Sequence, residues 1–429
     1  RRLRMRRMIA TMLLLFGCAL SLPAQVTAMK AGRLIDVEAG TVLTNQVILI
    51  EGGKIKAVGG DVQIPAGAKV IDLSGSTVLP GLIDCHSHLV GDAEDLDPIL
   101  ILRKSAAQVA FDSIPNARVT LEAGFTSVRD VGTYRAFVDV ALRDAINRGY
   151  IPGPRMYVAG AYVTVSGGAG ALTGIATDIG LPYDLRAGIA DSPEEVRKRI
   201  REIHNQGVDH IKILATGAVL THGSDPGAEE FTMAELEAAV DEARRHGMKV
   251  VAHAHGAQGI KNAVRAGVVS IEHGTFLDDE GIALMKQHGT YLVADVYNDE
   301  YIMGEAARKG MPKDFLEKEA RMGEVHRQAF RKAVKAGVKI AYGTDSGVYP
   351  HGWNAKQFAW MVRYGTTPMQ SIQSATIWAA DLIGVADQIG SIKPGKYADL
   401  IAVSGDPLAD VTVLEKVGFV MKEGKVYKQ

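Results

Sequence analysis

The sequence predicts an α/β protein: a (β/α)8 TIM barrel carrying a small β-sandwich domain built from both chain ends. Three observations predict it. Short apolar strands alternate with longer helical stretches over residues 79–390, the periodicity of successive β/α units. A β-run, a glycine turn and a second β-run recur near each terminus. The length of 429 residues suits one large barrel with an accessory domain, and 47% hydrophobic with 23% charged residues excludes a disordered chain, a collagen-like fibre and a small disulfide scaffold. A formal net charge of −1 gives no electrostatic reason to expect a nucleic-acid partner.

The first segment is set apart from the fold. Arg1, Arg2, Arg4, Arg6 and Arg7 precede an apolar run, Met8–Leu22, and then small residues near Ala24 and Ala28. That order is an export signal, assigned to residues 1–27, which implies a periplasmic or secreted protein. The run is shorter than the roughly 20 residues that span a bilayer, so no membrane span is expected in the mature chain. Leu15-Phe16-Gly17-Cys18 offers a second outcome, lipoprotein cleavage with anchoring at Cys18. The other cysteine is Cys85, which would then have no disulfide partner.

Next come the two hairpin patterns. Val47–Ile50 leads through Glu51-Gly52-Gly53-Lys54 into Ile55–Val58, and Val417–Lys422 leads through Glu423-Gly424-Lys425 into Val426-Tyr427. Isolated hairpins are marginally stable, so residues 28–78 and 391–429 are expected to join as one β-domain. Between them, barrel strands are expected at Val78–Cys85, Thr126–Arg129, Met156–Gly160, His210–Leu214, Lys249–His253, Val268–Glu272, Tyr291–Asp295 and Val338–Asp345. Ser192-Pro193 and Thr232-Met233-Ala234-Glu235 open helices, whereas His246-Gly247 and Ala266-Gly267 close them. An open doubly wound sheet shares this alternation, but no Gly-rich phosphate loop follows the first strand.

Barrel enzymes place their chemistry at the C-terminal ends of the strands. His86 and His88 end the first strand, and residues two apart face one side, so both point at the barrel mouth. Lys212 lies between Ile211 and Ile213 on strand four, where desolvation favours the neutral amine. Pairing with an Asp, or snorkelling to the surface, are its bland alternatives. Strand five ends in His253 and His255, strand six in His273 and strand eight in Asp345. Each has an ordinary structural explanation alone; together they converge on one ring.

With Pro80-Gly81-Leu82-Ile83-Asp84-Cys85-His86-Ser87-His88, the strand-four Lys and Gly343-Thr344-Asp345, the chain resembles the amidohydrolase superfamily. Ala252-His253-Ala254-His255-Gly256 and Ile271-Glu272-His273-Gly274 narrow the likeness to the branch of Xaa-Pro dipeptidases, lysine/arginine carboxypeptidases and ochratoxin-hydrolysing amidohydrolases. The resemblance implies two divalent metal ions, with zinc the default. It places His86 and His88 on the buried ion, His253 and His273 on the second, Lys212 as a bridging N6-carboxylysine and Asp345 at strand eight. A metal-bridging hydroxide would attack the amide, with Asp345 as the proton carrier. His255 is assigned to the substrate carbonyl or carboxylate, and His351 is a second substrate candidate whose other reading is a contact with Asn354. A homo-oligomer, with an octamer as one form, is implied as well.

The branch also implies the substrate, an amide of a C-terminal amino acid: an N-acyl amino acid, an ochratoxin A-like aroyl-phenylalanine or a dipeptide. The alternatives are a cyclic-amide hydrolase or deaminase of the imidazolonepropionase kind, and a non-catalytic assembly protein. Lys212 argues against the first, and the complete ligand set against the second. Ser166-Gly167-Gly168 continues with Ala169-Gly170-Ala171-Leu172 where relatives often carry a His, which suits a wide, dry pocket, and the run Ser166–Gly174 is expected to be a mobile cover. Asp295-Val296-Tyr297-Asn298 also departs from the Pro-Thr pattern of relatives.

Overall fold

The computed structural model describes residues 25–91, 100–176 and 178–429; nearly all of the expected signal, including Cys18, lies outside the described residues. Strands β1 (Thr27–Asp36), β2 (Thr41–Glu51), β3 (Lys54–Gly59) and β4 (Lys69–Pro80) come from the N-terminal part of the chain. Eight further strands, β5 to β12, belong to the middle of the chain. From its end come β13 (Leu400–Val403), β14 (Val417–Lys422) and β15 (Lys425–Lys428). The two ends of the chain form one seven-stranded sheet in the order β15-β14-β13-β4-β1-β2-β3. Both expected hairpins form. Gly52 and Gly53 at one turn, and Glu423 and Gly424 at the other, all have positive φ, as a tight turn matched to strand twist requires.

The β-domain differs from the expected pair of stacked sheets: it is a single mixed sheet curled in a sandwich-like way. Ile55 N donates to Lys396 O at 2.9 Å and Ala398 N to Gly53 O at 2.9 Å, so edge strand β3 meets the segment leading into β13. Met29, Ile48, Ile55, Ile71, Phe419 and Met421 fill the inside of the curl.

Parallel strands make up the middle of the chain. β5 (Leu82–Ser87), β6 (Phe125–Asp130) and β7 (Arg155–Val158) form one sheet. The other contains β8 (Tyr162–Val163), β9 (His210–Leu214), β10 (Lys249–Ala254), β11 (Ser270–His273) and β12 (Tyr291–Val293). The eighth expected strand is an irregular segment whose Ile340 bridges Leu292 of β12 and whose Ser346 bridges Ser87 of β5. It links the free edges of the two sheets. All five residues of β9 are buried, as a parallel strand covered on both faces demands. Helices lie between the strands with the expected signals in place: Ser192 caps the helix Pro193–His204, and Thr232 with Glu235 forms a capping box on Met233–Arg245. Among the described residues no helix is long and apolar enough to cross a membrane, and Cys85 is a buried free thiol.

Candidate metal centre and its cavity

The parallel strands deliver the histidines to one place because each ends at the same face of its sheet. His86 Nε2 and His88 Nε2 lie 3.3 and 3.2 Å from Asp345 Oδ1. The rings of His253 and His273 are 4.6 Å apart, those of His255 and His273 4.7 Å, and those of His86 and His273 4.9 Å. Donor atoms of His86, His273 and Asp345 fall within 4.8 Å of one another, and so do those of His253, His255 and His273. Either group could hold a divalent ion, and His273 belongs to both.

Hydrogen bonds at the outer side of each ring set which nitrogen is left for the centre. His88 Nδ1 donates to Gly132 O at 2.7 Å, leaving Nε2 as the lone-pair nitrogen. His253 Nε2 donates to Gly217 O at 3.0 Å, leaving Nδ1. His273 Nδ1 donates to Asp295 Oδ1 at 2.8 Å, leaving Nε2. His255 Nδ1 pairs with Thr275 Oγ1 at 2.8 Å. Burial holds His253 and His255 well below the usual imidazole pKa, so their rings are neutral and able to donate lone pairs. Beside them Lys212 is 2% exposed, and desolvation lowers its amine to about 8 against the pull of Glu272 and Asp345.

Two of these residues hold unusual backbone. His273 and Asp345 have φ of 69° and 55°, a region that side-chain-bearing residues adopt at a cost of roughly 1–3 kcal/mol. Hydrogen bonds hold them there: Asp345 N donates to His86 O at 2.7 Å, and Gly274 N to Ala254 O at 3.1 Å. Although burial alone would raise the Asp345 acid, His86 and His88 keep it well below the carboxylate range.

The site contains further residues to which the sequence assigns no role. Arg129 on β6 donates to Glu272 Oε1 at 2.8 Å and to Cys85 O at 2.6 Å, and Glu272 Oε2 lies 3.0 Å from His86 Nδ1. Asp84 accepts from His86 N, Thr344 and Asn354 Nδ2 and so ties the first strand to the eighth segment. Asp295 and Asn298 follow β12; Asn298 Nδ2 donates to both Asp295 and Asp345. A strand-end carboxylate such as Asp295 carries a positional signal in a barrel. Arg129 carries none, because its partners Cys85 and Glu272 are distant in sequence, and the bond of Asn298 to Asp345 spans 47 residues.

His86, His88, Lys212, His253, His255, His273 and Asp345 all line one cavity of about 400 Å³. Leu100, Leu172, Val219, Phe315 and Met322 give it apolar walls. His351 is not brought to it. Its Nδ1 pairs with Ser346 Oγ at 2.8 Å and its Nε2 donates to Gly91 O at 3.0 Å, so the ring acts as a strap behind the eighth segment. The run Ser166–Gly174, expected as a mobile cover, is tied down: Ala169 N donates to the Glu230 carboxylate at 2.9 Å, and Thr221 Oγ1 to Ala169 O at 2.8 Å. Ala169, Gly170, Ala171 and Leu172 do line the cavity.

Known proteins are similar to this chain in sequence and fold. The ochratoxinase of Aspergillus niger is 34% identical over 430 residues, covering 94% of this chain and 87% of that protein. Its crystal structure gives a TM-score of 0.84 at 32% identity, covering 94% of this chain and 96% of that one. A crystal structure of a Xaa-Pro dipeptidase with methionine bound in its active site gives a TM-score of 0.89 at 40% identity, covering 94% of this chain and all of that one. The model of the amidohydrolase family matches residues 77–427, so the chain belongs to the amidohydrolase family and is a hydrolase of amide bonds.

Proposed function

We propose that the chain is a binuclear metal-dependent amidohydrolase, built on a (β/α)8 barrel, that cuts the amide bond to a C-terminal amino acid. Its substrate is an N-acyl amino acid, an ochratoxin A-like aroyl-phenylalanine or a dipeptide. The observation that carries this reading is the pair of donor groups sharing His273 at a largely apolar cavity. The residues fit two ions: imidazole nitrogens, a carboxylate and a buried amine form a nitrogen- and oxygen-rich set suited to zinc. His86 and His88 would hold one ion, and His253 and His273 the other. Lys212 would serve both as N6-carboxylysine, its neutral amine adding to carbon dioxide with release of a proton. When bound, the ions supply Lewis acidity toward an amide carbonyl and lower the pKa of water from 15.7 toward about 7.

The chain's own residues supply the rest. Asn298 occupies Asp345 Oδ2, which leaves Oδ1 facing His86 and His88. Asp345 takes the proton of the attacking water and passes it to the leaving nitrogen. Thr275 orients His255, whose second nitrogen then meets the substrate carbonyl or carboxylate. Apolar walls exclude competing water and strengthen each of these interactions.

Mass spectrometry of the zinc-loaded protein given N-aroyl-phenylalanines including ochratoxin A, dipeptides, and lactam or imidazolone rings tests the reading. Release of a free C-terminal amino acid is expected. Ring opening with no amino acid released would contradict it.

A further inference from the structure

Glu319 has no part in the mechanism above, yet it lines the same cavity. It belongs to the helix Lys313–Ala336 and is 8% exposed. Phe315 one turn before it and Met322 three residues after it share its helix face and line the cavity too. Among the described residues no hydrogen bond or ion pair reaches its carboxyl. The nearby cations are committed elsewhere. Arg327 pairs with Asp299 at 2.8 Å and stacks on Trp360 at 4.1 Å from the ring centre. Lys318 donates to Val219 O and Thr221 O at 3.2 and 2.6 Å.

The carboxylates of Asp299, Asp295 and Asp345 disfavour ionisation of Glu319, and Arg327 favours it. Burial, reinforced by those carboxylates, pushes the Glu319 acid up to about 8. A carboxyl left buried without a partner is a cost that a ligand's positive group would remove.

We propose that Glu319 is a specificity-determining residue that receives an ammonium or guanidinium carried by the substrate, an assignment that rests on the amide-hydrolase reading. The free α-amine of a dipeptide and a basic side chain at its C-terminal residue present the same chemistry. A neutral acyl group would leave Glu319 without its partner, so unblocked or basic peptides are favoured over neutral N-acyl amides.

The test compares kcat/KM of zinc-loaded wild type and Glu319→Gln on Leu-Phe, N-acetyl-Leu-Phe and N-acetyl-Leu-Arg, followed by amino acid release. Wild type should favour a cationic member over N-acetyl-Leu-Phe by about tenfold or more, and the variant should bring that ratio toward one. A ratio lost with Leu-Phe alone assigns the α-amine; one lost with N-acetyl-Leu-Arg alone assigns the side chain. An unchanged ratio overturns the proposal. Calorimetric binding of phenethylammonium gives a readout independent of turnover. It should weaken at least about tenfold in Glu319→Gln, and equal affinity in the two proteins would overturn the assignment. If wild type cleaves none of the three peptides while phenethylammonium binding still depends on Glu319, the cation site stands and the peptide-substrate part of the proposed function falls.

Discussion

Asp345 concentrates the residue-scale argument. It is buried, held in a left-handed backbone conformation, and faces two histidines while Asn298 fixes its other oxygen. Asp345→Asn keeps the shape and removes the proton carrier, so kcat should fall by about 10²–10⁴-fold. A variant that retains its metal and full kcat would remove Asp345 from that role. The histidines, Lys212 and Asp345 were legible in the sequence because the two-residue strand period and the strand-end rule select them. Glu272 stood in view beside His273, but only the structure joins it to Arg129 and His86. Glu319 was hidden because a carboxyl on a long helix reads as solvated surface until its apolar neighbours Phe315 and Met322 are seen.

At the scale of elements, local chemistry explains what was legible. Glycine turns marked both hairpins, and N-cap serine and threonine marked helix starts, since each meets a backbone need within a few residues. The eighth expected strand is instead an irregular segment that bridges Leu292 and Ser87, and its Asp345 φ of 55° interrupts the extended run. The curl of the β-domain was not legible, because it depends on Ile55 meeting Lys396 across more than 300 residues. Among the glycines of that domain, Gly32 leaves the least room for a side chain. It sits at the register shift between β1 and β4, and a Cβ there would lie 1.9 Å from Ser74 O. Gly32→Ala should therefore cost about 1–3 kcal/mol through overpacking. A thermal melt lowered by several degrees is the expected result, and an unchanged one would show that the strands shift apart freely.

For the whole molecule, the ends of the parallel strands and the segments that follow them line one cavity, and the sheet formed from both chain ends packs beside the parallel strands. Arg155 on β7 pairs with Asp399 at 2.7 Å and with Glu423 at 2.6 Å, joining the parallel sheet to the C-terminal hairpin. The alternation of strands and helices could be read from the sequence, whereas the link between the two parallel sheets through Ile340 and Ser346 is a tertiary result. The central claim is that two ions at the shared His273 centre drive amide hydrolysis. Its most direct test is a zinc titration of chelator-treated protein, with amino acid release followed on whichever N-acyl amino acid or dipeptide it cleaves. Activity absent at the start and rising to a plateau at two equivalents per chain is the predicted result. Full activity without metal, or a plateau at one equivalent, would contradict the binuclear account.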